Sequence, residues 1–385
     1  MSTYLALLGQ TPNLAFAELQ AILPESQLIL PHLAKLPLND DGDARRLQKL
    51  AGGVVKIFRQ LKKINPKTDK QTLADLLLAI LLQQQDDYRS FALSELGRDH
   101  LSPFDVSDFK KQLKKQGVGK RFLDGSRHGL SAAVLLHQTK ILELTIIQTQ
   151  ESLLIVQTVS VQDIDWWSLK DRQKPYRDHK KGMLPPKVAR MMLNLALAKH
   201  YRHQDWRQLD FSGLNLYDPF CGSGTILLEG MDFNLQLLGS DLDKRAVLGA
   251  QTNLSWYQQQ ISTLSNYRIW LADVSKTVQL PKKIDLLVTE PYLGRPRPAL
   301  KFLPHMFLGL EKMYLGAFKA WRKILQPGAQ IVIVFPFVQT GKQEYNLRKL
   351  IDKLAKLGYT LNLEPVNYFR PQAIVKRQIL SFNYL

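Results

Sequence analysis

Two rhythms of apolar residues alternate along this chain, and together they predict an α/β protein. Period-two or unbroken apolar runs predict strands at Tyr4–Leu8, Val54–Leu61, Ser90–Leu93, Ile141–Ile147, Leu153–Val159, Leu235–Gly239, Arg268–Leu271, Ile284–Val288 and Gln330–Phe335. One more short run ends at Asp218. Helical spacing predicts helices at Pro12–Leu23, Asp43–Ala51, Thr72–Gln84, Asp108–Gln116, Ser131–His137, Val188–Leu197, Lys244–Leu254 and Phe307–Ile324. Pro12 and the tandem Pro185-Pro186 pre-set helix starts, whereas Gly52-Gly53 and Gly117 close helices. The runs at 141–147 and 153–159 pair as a hairpin, and Asn367–Phe382 forms a second, basic one. Gln326-Pro327-Gly328 reads as a turn.

Breaks in this pattern divide the 385 residues into a small α/β region at 1–60, a second region at 61–160, a polar linker at 161–182 and a long α/β domain at 183–385. Composition narrows the class. With 45% hydrophobic residues the chain buries proper cores, which excludes global disorder. A single cysteine, Cys221, excludes an internal disulfide and a cysteine-based zinc site, and it fits a reducing cytoplasm. His305 and the other histidines show no metal spacing, so no metal is expected. Neither a secretory signal nor a membrane-length apolar run is present; Leu76–Leu82 is apolar but Gln83–Asp87 ends it. No membrane partner is expected, and no residue pattern names a protein partner.

Charge points to the partner. The formal net charge is +18, which favours a polyanion. Residues 101–200 carry 17 Lys+Arg against 9 Asp+Glu, a surplus of 8, and residues 251–385 carry 19 against 7, a surplus of 12. Residues 201–250 reverse the sign, with 4 against 7. An acidic pocket region therefore lies between basic flanks. In the first flank, Lys110, Lys111, Lys114 and Lys115 share a helix face, followed by Gly119-Lys120-Arg121-Phe122 and then Arg127 and His128. A basic face interleaved with an aromatic reads as a nucleic-acid contact or as a solvated face, and both readings stand.

The acidic region holds Leu216–Gly230, where an apolar run ends in Asp218, a turn carries Gly222 and Gly224, and a helical pattern begins at Thr225. Such a strand–turn–helix lets backbone approach a ligand closely and offers free helix amides to an anion. No Gly-Lys-Ser/Thr follows, and Asp218 ahead of the glycines would repel a pyrophosphate. A ligand with an ammonium for Asp218 and a carboxylate for the helix start fits better. The amino-acid end of S-adenosylmethionine has that pattern.

Two resemblances follow from quoted motifs. Asp108–Leu113, Gly119–Phe122 and Leu130–Val134 resemble a THUMP domain, an RNA-binding module of tRNA-modifying enzymes. Arg177-Asp178, Gly182–Lys187, Ala189-Arg190 and Asn194-Leu195, followed by Asp218–Thr225, resemble the archaeal and eukaryotic THUMP-containing tRNA guanosine N2-methyltransferases. Arg370, Lys376 and Arg377 resemble that family's closing segment. The resemblance implies a ferredoxin-like region at 1–60, a THUMP-like domain at 61–160 and a Rossmann-like class I methyltransferase domain at 183–385. It also implies tRNA, or another structured RNA, as partner and the guanosine at tRNA position 10 as target.

Cofactor and catalytic residues can then be assigned along the strands. Asp218, Phe220, Gly222, Gly224 and Thr225 would cradle the cofactor's amino-acid end. Asp241, closing the second strand, would take the ribose hydroxyls, with a helix cap as the plain alternative. Asp273, after the third, would take the adenine amine, with a turn aspartate as the alternative. The fourth strand delivers Thr289-Glu290-Pro291-Tyr292-Leu293-Gly294.

Amino methyltransferases carry Asp/Asn-Pro-Pro-aromatic here. An exocyclic amine is a poor nucleophile, and a carboxylate plus a proline carbonyl can accept its two N–H bonds and orient it. Two registers fit. Either Glu290 takes the acid position, with Tyr292 for the second proline, or Tyr292 is the aromatic and Thr289 stands in the acid position. The first matches Thr289 and Gly294 to the family. It makes Glu290 and Pro291 the amine acceptors and Tyr292 the packing partner of the base. Arg177, Lys187, Lys120, Arg121, Arg295 and Arg297 are the expected RNA contacts. Two other readings stay open: an adenine-N6 or rRNA guanine-N2 methyltransferase, and a tRNA-binding protein with degenerate catalysis.

Overall fold

The computed structural model describes residues 2–84, 86–96, 106–117, 119–123, 129–178, 183–262, 265–276, 280, 283–341, 343–368 and 372–385; side chains of 106–108 are left out. Arg127, His128, Gly182 and Arg370 lie outside the described residues. The chain forms two compact units whose segments interleave: residues 1–12, 25–50 and 54–164 form the first, and 13–24, 51–53 and 165–385 the second.

The first unit is built on one eight-stranded sheet. Its strands are β1 (Tyr4–Leu8), β2 (Gln27–Leu30), β3 (Leu33–Leu36), β4 (Val54–Ile64), β5 (Ser90–Leu96), β6 (Arg121–Phe122), β7 (Ile141–Gln148) and β8 (Leu153–Val161), in the order β2-β3-β1-β4-β8-β7-β5-β6. Pairing is antiparallel except where β5 runs parallel to β6 and β7. The short β2–β3 pair was not legible in the sequence, because Leu28, Ile29 and Leu30 show no alternation and Pro31-His32 separates two runs of four residues each. Helices α3 (Lys70–Gln83) and α4 (Val106–Lys115) bury Leu73, Leu77, Leu81, Phe109 and Leu113 against Phe91, Leu142, Leu144 and Ile155. Glu143 is buried on β7, where its carboxylate accepts from Lys56, Thr158 and the Leu130 N–H.

The second unit is an α/β layer structure. Strands β9 (Asn215–Asp218), β10 (Gln236–Asp241), β11 (Tyr267–Leu271), β12 (Ile284–Thr289), β13 (Leu325–Thr340), β15 (Tyr359–Tyr368) and β16 (Lys376–Tyr384) take the order β11-β10-β9-β12-β13-β16-β15, while β14 (Gln343–Tyr345) pairs only with β13. The first five are parallel; β16 runs antiparallel to β13 and β15. Near-continuous apolar runs in β12 and β13 follow from burial on both faces. Helix α11 (Leu303–Trp321) covers one face, burying Phe307, Tyr314, Phe318 and Trp321 against Leu287, Ile331, Phe335 and Phe382.

Gln326-Pro327-Gly328, expected as a turn, lies inside β13 as an irregularity of the strand. Gly328 adopts φ +83° there, and the register against β12 shifts between Ile284 and Leu286. Helix α7 (Pro186–Ala196) packs on α9 (Thr225–Asp232) and α9 on α10 (Lys244–Ile261), and most of α1 (Pro12–Ile22) belongs to this unit. Among the described residues, no helix is long and apolar enough to cross a membrane.

Candidate active site

Strand order reverses direction between β9 and β12, and in open parallel sheets ligands bind at such a switch point, beyond the carboxyl ends of the strands. Two of the sequence motifs end there. Asp218 closes β9 and Thr289 closes β12, and the Thr289 hydroxyl donates to Asp218 Oδ1 at 2.7 Å. Asp218 is 2% exposed. Burial, together with the nearby Asp241 and Glu290 charges, pushes its carboxyl up to about 7, against the hydrogen bonds from Thr289 and the Phe220 N–H.

The loop that follows Asp218 is held open by backbone conformation. Gly222 (φ +51°) and Gly224 (φ +80°) both sit in the left-handed region, where other residues are strained. A Cβ on Gly222 would meet nothing nearer than the Phe220 carbonyl at 4.0 Å, so the loop faces open space there. A Cβ on Gly224 would lie 2.8 Å from Leu254 Cδ1, so α10 packs directly against the loop's far side. Phe220 is half-buried against the core beneath.

Asp241, at the end of β10, accepts from the Gly222 N–H at 3.0 Å and the Asp243 N–H at 2.9 Å. The cap of α10 is Asp243, which accepts from Arg245 N, so Asp241 is not the helix cap. Asp273 follows β11 and turns onto the Ser275 N–H and hydroxyl at 2.9 and 2.8 Å, the turn-aspartate geometry. Those hydrogen bonds hold its carboxyl below the usual aspartate range.

Glu290 is largely enclosed, and Arg377 Nε on β16 donates to its Oε1 at 2.5 Å. Pro291 is buried, whereas Tyr292 is 57% exposed with its carbonyl accepting from Tyr314. Gly294 takes φ +93° over Met306, a position a side chain would contest. Arg295 and Arg297 are exposed directly beyond, as is Arg177 before α7.

Of the remaining expected RNA contacts, Lys187 and Lys120 are more enclosed. Lys187 is half-buried with its Nζ 5.6 Å from the Trp167 ring, and burial lowers its pKa. In the first unit Arg121 is exposed, while Lys120 Nζ lies 5.6 Å from the Tyr88 ring. Phe122 is not an open stacking surface: its ring packs edge-on to Phe91 at 5.3 Å, and Lys110 Nζ sits 4.5 Å from its centroid. Among the described residues, no group of three His, Cys, Asp or Glu side chains could hold a metal ion.

Several residues that support this site went unread in the sequence. The segment expected as a polar linker carries α6 (Ile164–Ser168), one wide helical turn at Leu169–Gln173, and two buried lysines. Lys170 pairs with Glu229 and Asp232, and Arg190 pairs with the same two acids. Lys174 donates to the Thr225 hydroxyl at 3.0 Å. Asn253 is fully buried on α10; it accepts from Tyr176 N and donates to the carbonyls of Tyr176 and Ser223. That one amide ties the former linker to the glycine loop. Glu229 and Asp232 on the otherwise apolar α9 were the available signal, since buried acids require buried cations.

The family match falls inside the second unit. Residues 174–336 match the family model UPF0020, an RMKL-like methyltransferase domain. A tRNA (guanine(10)-N2)-dimethyltransferase of Methanothermobacter thermautotrophicus is 32% identical over 123 residues, which is 31% of this chain and 31% of that protein. One of the same name from Methanocaldococcus jannaschii is 22% identical over 297 residues, covering 74% of this chain and 80% of its own. Among solved structures, TrmN from Thermus thermophilus aligns over 100% of both chains with a TM-score of 0.57 at 16% identity, a likeness of fold. The alignment thus spans less than a third of the first relative and four-fifths of the second. The second unit has a Rossmann-like methyltransferase fold, and residues 174–336 within it are similar to the UPF0020 methyltransferase domain.

Proposed function

We propose that this chain is an S-adenosylmethionine-dependent RNA methyltransferase whose target is an exocyclic base amine, guanosine N2 in tRNA. The observation that carries the reading is the Thr289–Asp218 hydrogen bond, which fastens the glycine loop to the Glu290 loop at the sheet's switch point. A cofactor loop and an amine-orienting loop are held side by side, and the matched relatives bear that activity in their names.

The residues suit the cofactor. Asp218 would receive its ammonium, the open side of Gly222 and the first amides of α9 its carboxylate, Asp241 its ribose and Asp273 its adenine. S-adenosylmethionine, when bound, supplies a methyl group on a sulfonium centre. Glu290 and the Pro291 carbonyl would accept the two N–H bonds of the target amine, which localises its lone pair toward the methyl. Tyr292, exposed beside them, would pack on the extruded base. Arg177, Arg295 and Arg297 would meet phosphates around the target, with Lys187 at their margin. The region at 61–160, with Lys120 and Arg121, would act as the THUMP-like RNA-binding part.

The test is transfer of labelled methyl from S-adenosylmethionine to unmodified bulk tRNA, by the natural chain and by Glu290→Ala. N2-methylguanosine from the natural chain alone supports the reading and the role of Glu290. Equal product from both discards that role in favour of the other register. A product on adenine or on rRNA moves the substrate, and tRNA binding with no product from either chain favours the non-catalytic reading.

A further inference from the structure

The buried charges behind the glycine loop do not balance. Lys170 and Arg190 are neutralised by Glu229 and Asp232, two cations against two anions. Lys174 is a further buried cation, 2% exposed. Among the described residues its ammonium donates only to the neutral Thr225 hydroxyl, and no ion pair joins it to the exposed Asp171 three residues earlier. Burial pulls its pKa down to about 8, although Asp171 and Glu229 favour the charged form.

Its position makes the charge still harder to explain as packing. Thr225 is the first residue of α9, and the start of a helix is its positive end. Placing a buried ammonium there is unfavourable unless an anion occupies the same place. The hydrogen-bond polarity agrees. Thr225 Oγ1 accepts from Lys174, so its own proton must point elsewhere, and its only other partner among the described residues is Ser223 Oγ at a long 3.4 Å.

Resting on the cofactor reading above, we propose that Lys174 is a positioning residue for the carboxylate of the cofactor's amino-acid end. It acts through Thr225, whose hydroxyl it turns outward as a donor to that carboxylate. The linker lysine thus supplies the positive charge that the glycine loop itself lacks, and Asn253 fixes its segment against the loop.

Two ligands that differ at this group provide the test. S-adenosylhomocysteine carries the amino-acid end, and 5′-methylthioadenosine lacks it. Calorimetric titration of the full chain should show Lys174→Met weakening S-adenosylhomocysteine about ten-fold or more while 5′-methylthioadenosine changes little. Removing a buried cation that no ion pair holds among the described residues should also leave the empty protein at least as stable to heat. Thr225→Val keeps the lysine and should show the same selective loss, which keeps the test valid if Lys174→Met fails to fold. Equal weakening of both ligands, or of neither, overturns the proposal. Failure of the natural chain to bind either ligand overturns the cofactor reading itself.

Discussion

Arg377 on β16 donates from Nε to Oε1 of Glu290, closing a pair between residues 87 apart in the chain at 2.5 Å. Glutamate has one more rotatable bond than aspartate, and the arginine removes that freedom. The second carboxylate oxygen carries no hydrogen bond among the described residues, and it is the acceptor that the proposed function assigns to the target amine.

Glu290→Asp therefore cannot keep Arg377 and reach the substrate together. Single-turnover methyl transfer should fall by about 100-fold, the scale of an ångström's misplacement, with S-adenosylhomocysteine affinity nearly unchanged. Arg377→Ala should act in the same direction, and the double variant Glu290→Asp/Arg377→Ala should lose much less than the product of the two effects. Strict multiplicativity would show that the pair is not a functional unit.

Asp218 links stability to pH. Its carboxyl is pushed from 3.8 to about 7 in the folded chain, so the folded state holds this proton more tightly than the unfolded one. The contribution is favourable at low pH and is lost as pH rises from 3.8 to about 7. Asp218→Asn should accordingly raise the stability of the empty protein at pH 8 by up to about 4 kcal/mol, the equivalent of that shift. The same substitution should abolish cofactor binding. In the natural chain, binding should weaken as pH falls below 7, and a flat binding profile between pH 6 and 8 would remove Asp218 from the ammonium site.

The two loop glycines should respond differently. Gly224→Ala must fit a left-handed φ and a Cβ 2.8 Å from Leu254, so it should destabilise by about 2 kcal/mol or more. Gly222→Ala meets open space and should cost stability less, while filling room that the ligand needs. Thermal unfolding read beside S-adenosylhomocysteine titration separates the two. Equal losses of stability would contradict the packing described.

Phosphate contacts announce themselves through salt. Replacing Arg295 and Arg297 together by alanine should weaken tRNA binding at low salt. The slope of log affinity against log salt concentration should become shallower by about two. Lys187→Ala should change that slope little, because its ammonium rests against Trp167. A slope unaltered by the double arginine change would place the RNA elsewhere.

Much of this site could be read from the sequence because its parts are local. Asp218, the two glycines and Thr225 lie within eight residues, and strand endings set Asp241 and Glu290 where they stand. What escaped was non-local. Lys174 and Tyr176 read as polar linker, and Asn253 as one more position of the helix Lys244–Leu254; polar residues that satisfy each other in a core leave no periodic trace. Phe122 shows how packing narrows a reading that the sequence leaves open. An aromatic among lysines suggested a nucleic-acid surface, but Lys110 and Phe91 already cover it.

The interleaving of the two units decides where the chain can be cut. Glu18 on α1 is fully buried, and its carboxylate accepts from the Gly52 and Gly53 amides and from Asn194 of α7. Three separate stretches thereby complete the second unit, and the chain passes between units at 12/13, 24/25, 50/51, 53/54 and 164/165. A fragment beginning at residue 165 would therefore lack Glu18 and its glycine partners, and the second unit would be left with the Asn194 amide parted from that carboxylate.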